Sequence, residues 1–209
     1  DQHRDAGEPA LIVGIVREVA STCRIDDRRV YVAGLSAGAA MAVVLGTAYP
    51  DVFAAVGAHS GLPYAAAHDM PSAFAAMHGG APVAGVAANP RASRTALRTP
   101  TIVFHGDADH TVQARNGAAI VDAAAHGRAE ETQLRMSAQE NGHAAGRGYV
   151  RTVYTDAAEH PIVEHWVVRG AGHAWSGGSQ KGSFTDPAGP DASAEMVRFF
   201  YRQQRRSLS

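Results

Sequence analysis

The ten residues RVYVAGLSAG, at positions 29–38, decide how this chain folds. Their first half is a short apolar run typical of a buried strand, and a helix-like stretch follows at 39–49. Gly34, Ser36 and Gly38 fit the pattern G-x-S-x-G, in which a serine stands at a sharp turn between a strand and a helix. Glycines suit this turn because the serine backbone is strained and flanking side chains would collide with neighbouring elements. The pattern predicts a nucleophilic Ser36 held above the edge of a sheet.

The partners of a nucleophilic serine are expected further along the chain. A serine hydroxyl needs a general base, and the base needs a carboxylate that fixes its tautomer. His173 follows a β-branched run at 162–168 and lies among small residues, which makes it the candidate base. Asp107 and Asp109 both follow the apolar run at 99–104, and sites are built in loops at the carboxyl ends of parallel strands. Asp109 is favoured as the acid because it lies further from the end of the strand and can fold back towards a neighbouring loop. Asp107 would then cap its own loop or the next helix.

The other histidines do not predict a metal centre. The chain has 11 His, but no His, Asp or Glu pair has convincing zinc spacing, and the motif H-E-x-x-H is absent. His105 and His165 lie on or beside predicted strands, where a core histidine with satisfied hydrogen bonds is more common than a ligand. His59 is not readily explained as a surface histidine, and its role stays open. We expect no metal and no cofactor.

The rest of the chain alternates short apolar runs with helix-like stretches, as in an α/β protein with a mostly parallel sheet. Helices are predicted at 8–22, 114–125 and 192–203, and strands at 53–58, 133–136 and 150–154. Residues 62–98 break the alternation, and two interpretations stay open for them: a cap over the site or a surface excursion. No linker divides the chain, so residues 1–209 are interpreted as a single catalytic domain.

Four ordered motifs resemble the poly(3-hydroxybutyrate) depolymerase family of esterases, which have the α/β-hydrolase fold. They lie at 29–41, 49–56, 104–112 and 170–178, and the tail at 184–193 is similar to the family as well. By this resemblance Ser36 is the nucleophile, Asp109 the acid of a His-Gly-x-x-Asp motif and His173 the base. The family grades into feruloyl esterases and related enzymes, so the resemblance implies ester hydrolysis more firmly than it implies one substrate.

The chain also departs from the family pattern at its start. The resemblance implies several strands and a His-Gly loop before the elbow helix, whereas the chain opens with DQHRD, so an N-terminally truncated fold is expected. Ala37 N–H would supply one oxyanion donor, and the second, which comes from the loop after the third strand, has no counterpart. The Ser60 side chain or a water molecule would then supply the second donor of the oxyanion hole. A strand at 30–34 would lie at an exposed edge of the sheet, where a homo-oligomer could form.

The composition is that of one ordinary domain. Its 209 residues are 45% hydrophobic and 19% charged, which suffices for one sizeable core. The formal net charge of -1 gives no strong attraction to nucleic acid or to an anionic membrane, and no run approaches a membrane span. No secretion signal is present, which leaves a secreted or a cytoplasmic location open.

Three residues are candidates for substrate contact. Trp175 lies two residues after the candidate base, and Ser60 and Tyr64 lie after the second predicted strand. Trp175 has a second interpretation, as a loop anchor against Phe184 or Pro187. The expected activity is hydrolysis of a polyester or of short hydroxyalkanoate esters. The alternatives are a feruloyl or aryl-ester hydrolase with the same triad, and a catalytically impaired binding module.

Overall fold

The computed structural model describes residues 2–67, 69–79, 97–126 and 133–205. The helices in these ranges are α1 (Gly7–Thr22), α2 (Ala37–Ala48), α3 (Met70–Met77), α4 (Arg115–His126) and α5 (Ala192–Phe200), with a 3-10 turn at Asp27–Arg29. The strands are β1 (Tyr31–Leu35), β2 (Ala55–His59), β3 (Thr101–Gly106), β4 (Arg135–Ala144), β5 (Arg147–Thr155), β6 (Pro161–Val168), β7 (Trp175–Ser176) and β8 (Thr185–Asp186). None of the described helices is long and apolar enough to cross a membrane.

Six strands form one mixed sheet in the order β1-β2-β3-β6-β5-β4, and β7 and β8 form a second, two-stranded sheet. Strands β1, β2, β3 and β6 run parallel, whereas β5 and β4 continue the sheet in antiparallel pairing. The strands that run parallel therefore have their carboxyl ends at the same edge of the sheet, which is where open α/β sheets bind their ligands.

Helices cover both faces of this sheet. On one face, side chains of α2 and α4 pack against Val56 and Val103. On the other face, α5 packs against Ile102, Phe104 and Trp166. Because successive side chains of a strand point to opposite faces, β3 supplies residues to both layers, and all six of its residues are buried. The doubly covered sheet gives the loops at its carboxyl edge a rigid base.

The predicted α/β architecture is confirmed, although the bounds of several elements differ. The strand predicted at 133–136 runs instead over Arg135–Ala144, because β4 pairs with β5 through a tight turn at Ala145 and Gly146. Most of β4 is exposed, so its sequence carries no apolar alternation that would predict its length. The last helix ends at Phe200 and not at residue 203.

Two other predictions concern the edge of the sheet and the cap. Among the described strands β1 has β2 as its single neighbour, as an edge strand does, and pairing of copies through it stays a prediction. Helix α3 lies within the segment 62–98, with Asp69 as its N-cap. Residues 68 and 80–96 of this segment lie outside the described residues, so the cap also stays a prediction.

The free energy of unfolding is expected to fall as the pH drops below about 6.5. Burial lowers the pKa of His59 to about 3 and that of His165 to about 4, so both stay neutral in the folded chain at pH 5. The unfolded chain takes up protons at these sites from about pH 6.5 downwards, and each costs up to about 1.4 kcal/mol per pH unit. Urea unfolding at pH 7 and pH 5 measures this loss in the free energy of unfolding. The difference between the two pH values should be smaller in the His165→Phe variant. Equal stability of the wild type at both pH values would contradict the expectation.

Candidate active site

The strand register brings the predicted site residues to one edge of the sheet. Leu35 pairs with His59, His59 pairs with Phe104, and Gly106 pairs with Val168. The residues that follow these strands therefore emerge side by side. In this way the loops after β1, β2, β3 and β6 carry, in order, Ser36, Ser60, Asp109 and His173.

The backbone of Ser36 has the strain that its motif predicts. Its φ of 57° and ψ of -119° lie outside the regions that L-residues favour, and it is the N-cap of α2. Two backbone hydrogen bonds hold it there, because the Ser36 N–H donates to His59 O at 2.9 Å and Ala40 N–H donates to Ser36 O at 3.0 Å. The Ser36 side chain does not cap the helix, and its hydroxyl has no hydrogen-bond partner within the described residues. The position of the Ser36 backbone at the turn is thus set by these two hydrogen bonds.

The two glycines of the motif differ in what surrounds them. A Cβ on Gly34 would lie 2.2 Å from the carbonyl carbon of Gly38 and 2.3 Å from its oxygen, both of which belong to the backbone. A Cβ on Gly38 would meet no atom within 4 Å. Close approach of strand and helix therefore requires glycine at position 34, whereas position 38 has space for a methyl group.

Gly34→Ala is expected to displace the elbow, and Gly38→Ala is its matched control. The added methyl group cannot be accommodated unless β1 and α2 move apart, and a displacement of about 1 Å at a catalytic group can lower activity about 10²-fold. Gly38→Ala should keep its activity within about threefold, because the added methyl group meets no atom within 4 Å and the elbow need not move. The helix should not be weakened, because Ala is a better helix former than Gly. Ester hydrolysis and thermal unfolding of both variants provide the measurement. Equal losses of activity in the two variants would contradict the conclusion that glycine is required at position 34 and not at position 38.

His173 and Asp109 form a close pair. His173 Nδ1 lies 2.8 Å from Asp109 Oδ2, and the Asp109 side chain is wholly buried. The other carboxylate oxygen, Oδ1, accepts hydrogen bonds from the backbone N–H groups of Thr111 at 2.9 Å and Val112 at 2.8 Å. The loop thus fixes one oxygen and leaves the other for the imidazole. Because Nδ1 of His173 donates to the carboxylate, its Nε2 can accept a proton.

The surroundings of Asp109 keep it ionised. Burial alone would raise the pKa of the carboxyl group, but the hydrogen bonds from His173 and from the Val112 N–H oppose burial, and the pKa is lowered. A carboxylate that stays charged at neutral pH can orient a neighbouring imidazole and stabilise its protonated form.

Asp107, the competing carboxylate, has a different position. It is exposed, and its Oδ1 accepts a hydrogen bond from the backbone N–H of Gly170 at 2.6 Å. This contact ties the loop after β3 to the loop that carries His173. Asp107 therefore caps a loop, which is the alternative that its position in the sequence left open, and the structure places Asp109 against the imidazole.

The three predicted substrate contacts have unequal access to solvent. Ser60 is fully buried, so it does not lie on a surface that a substrate would touch, and its hydroxyl lies 3.2 Å from His59 Nδ1. Tyr64 is half-buried and its hydroxyl donates to Gln2 O at 2.9 Å. Trp175 is half-buried, and its ring stacks on His59 with centroids 5.2 Å apart.

Two hydrogen bonds also hold Trp175, and both interpretations of this residue stay open. Its N–H donates to Phe184 O at 2.8 Å, and its ring Nε1 donates to Ser193 Oγ at 3.1 Å. His59, which the sequence left unassigned, lies beneath this ring at the end of β2. The sequence signal that would have identified His59 is a polar residue at the carboxyl end of a buried strand. The described residues include no group of three or more His, Cys, Asp or Glu that could hold a metal ion.

Comparisons with known proteins identify the family of this chain. The family model described as Esterase PHB depolymerase matches residues 2–134, a stretch that includes Ser36 and Asp109 and ends before His173. Poly(3-hydroxyalkanoate) depolymerase C of Paucimonas lemoignei is 32% identical over 178 residues, which are 83% of this chain and 42% of that protein. Feruloyl esterase B of Talaromyces funiculosus is 49% identical over 63 residues, which are 30% of this chain and 18% of that protein. The chain thus spans less than half the length of these curated relatives.

A solved structure shows the same fold. The acetyl xylan esterase from Aspergillus awamori superposes with a TM-score of 0.66 at 18% identity, covering 96% of this chain and 69% of that one. This likeness confirms the predicted α/β-hydrolase fold. Since the family model matches more than half of the chain, this protein belongs to the PHB depolymerase family of esterases.

Proposed function

We propose that this protein is a serine-dependent carboxylic-ester hydrolase that acts on a polyester or on short hydroxyalkanoate esters. The observation that carries the proposal is the 2.8 Å contact between His173 and the buried Asp109, at the same sheet edge as the strained Ser36. Nucleophile, base and acid follow one another in the chain order typical of α/β-hydrolases.

The mechanism is a two-step acyl transfer. His173 Nε2 accepts the Ser36 proton as Oγ attacks the ester carbonyl, and Asp109 stabilises the imidazolium. The tetrahedral intermediate collapses, the alcohol leaves with the proton from His173, and Ser36 remains acylated. Water, activated by the same base, then attacks the acyl group and releases the acid.

The N-terminus of α2 stabilises the oxyanion in this scheme. Ala37 is the first residue of α2, where N–H groups have no acceptor within the helix. This N–H and the positive end of the helix dipole favour a negative oxygen next to Ser36. A second donor in the hole stays a proposal.

Hydrolysis of p-nitrophenyl butyrate, combined with labelling by a fluorophosphonate, tests the proposal. A working nucleophile should release p-nitrophenol and take up one phosphonyl group, which peptide mapping should place on Ser36. A folded protein that neither hydrolyses the ester nor takes up the label would support a binding module instead. A label on any other serine would remove Ser36 from the mechanism.

The substrate class requires a separate comparison. The Paucimonas relative, named a poly(3-hydroxyalkanoate) depolymerase, is similar over most of this chain and favours a polyester. The local similarity to feruloyl esterase B favours an aryl ester as the second candidate. The ratio of kcat/KM for a 3-hydroxybutyrate trimer to that for methyl ferulate distinguishes them. A ratio well below one would assign the chain to the aryl esters.

A further inference from the structure

His105 is a buried histidine at the base of the loop that carries Asp109. It lies in β3, and its side chain and that of Asp109 are both fully buried. Its Nε2 lies 2.7 Å from the carbonyl oxygen of Val112. A carbonyl oxygen can only accept, so Nε2 carries a proton and donates this hydrogen bond. The ring therefore bridges the turn between the end of β3 and Val112.

Val112 connects this imidazole to the candidate acid. Its N–H donates to Asp109 Oδ1 at 2.8 Å, and its carbonyl oxygen accepts the His105 N–H. Both backbone groups of one residue are thus engaged, one by the carboxylate and the other by the imidazole. Because Oδ1 is occupied in this way, Oδ2 faces His173 Nδ1 at 2.8 Å. Each contact from His105 to His173 is a hydrogen bond of ordinary length.

Packing alone does not account for a histidine at position 105. Its other ring nitrogen, Nδ1, is buried and has no hydrogen-bond partner within the described residues. The satisfied core histidine expected from the sequence therefore holds for one ring nitrogen only. A buried polar atom without a partner costs stability, and an apolar residue in the same space would avoid that cost. The hydrogen bond from Nε2 is what an apolar residue could not supply.

Helix α4 packs directly on the His105 ring. A Cβ on Gly117 would lie 2.6 Å from His105 Nδ1 and 3.1 Å from its Cγ. The ring thus occupies the space that a side chain at position 117 would fill. Glycine at this point of the helix allows the imidazole to lie where its Nε2 reaches Val112.

We propose that His105 is a positioning residue, which holds the Val112 carbonyl so that the N–H of Val112 stays directed at Asp109 Oδ1 and Oδ2 stays directed at His173. The proposal rests on the proposed function, because it assigns a role to a further residue of the same site. His105 does not touch the substrate, and no bond to it forms or breaks in the reaction. It acts through the loop that orients the acid.

The first test measures the two hydrogen bonds in the wild-type protein at pH 7. Burial lowers the pKa of His105, whose titratable neighbours are Asp109 and His173, so its ring is neutral at this pH. NMR of the ¹⁵N-histidine-labelled protein should show a protonated Nε2 and an unprotonated Nδ1, in a signal that His105→Gln removes. The Val112 amide should exchange slowly with solvent. An unprotonated Nε2 would overturn the proposal.

His105→Leu and His105→Gln test the role in catalysis, with His165→Leu as the matched control. Leucine fills similar space but cannot donate, whereas the amide nitrogen of glutamine lies as many bonds from Cα as Nε2 does. His105→Leu should lower kcat roughly 10- to 100-fold, with KM within about threefold, because the carboxylate is no longer held. Exchange of the Val112 amide should be faster in this variant. His105→Gln should restore kcat to within about threefold of the wild type and slow the exchange again.

The control separates positioning from core packing. His165 is also a strand histidine, paired with Val103 in the sheet, and its buried Nε2 has no hydrogen-bond partner within the described residues. His165→Leu should therefore keep its kcat when each enzyme is assayed well below its Tm. Equal kcat values for His105→Leu and His165→Leu would overturn the proposal, and so would a His105→Gln enzyme as slow as His105→Leu.

Gly117→Ala provides a variant that keeps the imidazole. The added methyl group favours the helix but displaces the His105 ring, so kcat should fall roughly 10-fold. This variant decides the proposal if His105→Leu does not fold, and an unchanged kcat would then overturn it. If the wild type hydrolyses no ester, the proposed function fails. Exchange of Val112 that is fast in His105→Leu and slow in His105→Gln would still show that His105 holds the acid loop.

Discussion

Ser36→Ala is expected to lower kcat for ester hydrolysis by about 10⁴- to 10⁶-fold, as loss of the nucleophile does in serine hydrolases with a triad. The fold should survive because the Ser36 hydroxyl has no hydrogen-bond partner within the described residues, while the elbow is held by backbone bonds that alanine retains. Without Oγ no acyl-enzyme can form. The helix N-terminus and the His173–Asp109 pair would remain, so binding should be nearly unchanged.

Stopped-flow release of p-nitrophenol and thermal unfolding of the purified variant check this result. Ser21→Ala is a suitable control, because the Ser21 hydroxyl is exposed and donates to the carbonyl of Glu18 within α1. It should keep full activity. A Ser36→Ala enzyme that retains more than roughly a tenth of the wild-type rate would show that hydrolysis does not proceed through Ser36.

The elbow could be predicted from the sequence because its determinants are local. Gly34, Ser36 and the apolar run before them are adjacent in the chain, and the strain at Ser36 follows from their order. The order of the loops also predicts that Asp109 and His173 meet, because both follow parallel strands. The different requirements at Gly34 and Gly38 are set by the packing of α2 on β1, which no local pattern encodes.

The surroundings of His59 and Ser60 could not be predicted from the sequence, because they depend on strand register and on partners that are distant along the chain. The acceptor state of His59 Nε2 comes from Ser176, which is 117 residues away along the chain. Ser60, predicted as a substrate contact, is fully buried, and the sequence around it carries no signal of that burial. Strand β4 was predicted too short for a similar reason, since its hydrogen bonds to β5 and not its exposed side chains define its ends.

Asp109→Asn is expected to cost about 10⁴-fold in kcat, and Asp107→Asn less than about threefold. In Asp109→Asn the amide oxygen can still accept the N–H groups of Thr111 and Val112, so the loop should keep its conformation. The amide NH₂ would then face His173 Nδ1 and donate to it. The imidazole would adopt the tautomer with the proton on Nε2, which cannot accept the proton of the Ser36 hydroxyl.

Asp107→Asn is the matched control, because it makes the same chemical change two residues away. An asparagine there can still accept the Gly170 N–H, and the side chain is exposed. The ranking of the two variants therefore tests geometry and not merely the loss of a charge near the site. If Asp107→Asn were the more damaging change, the acid would be Asp107, and the 2.8 Å contact between Asp109 and His173 would have to be a structural bond that opens when substrate binds.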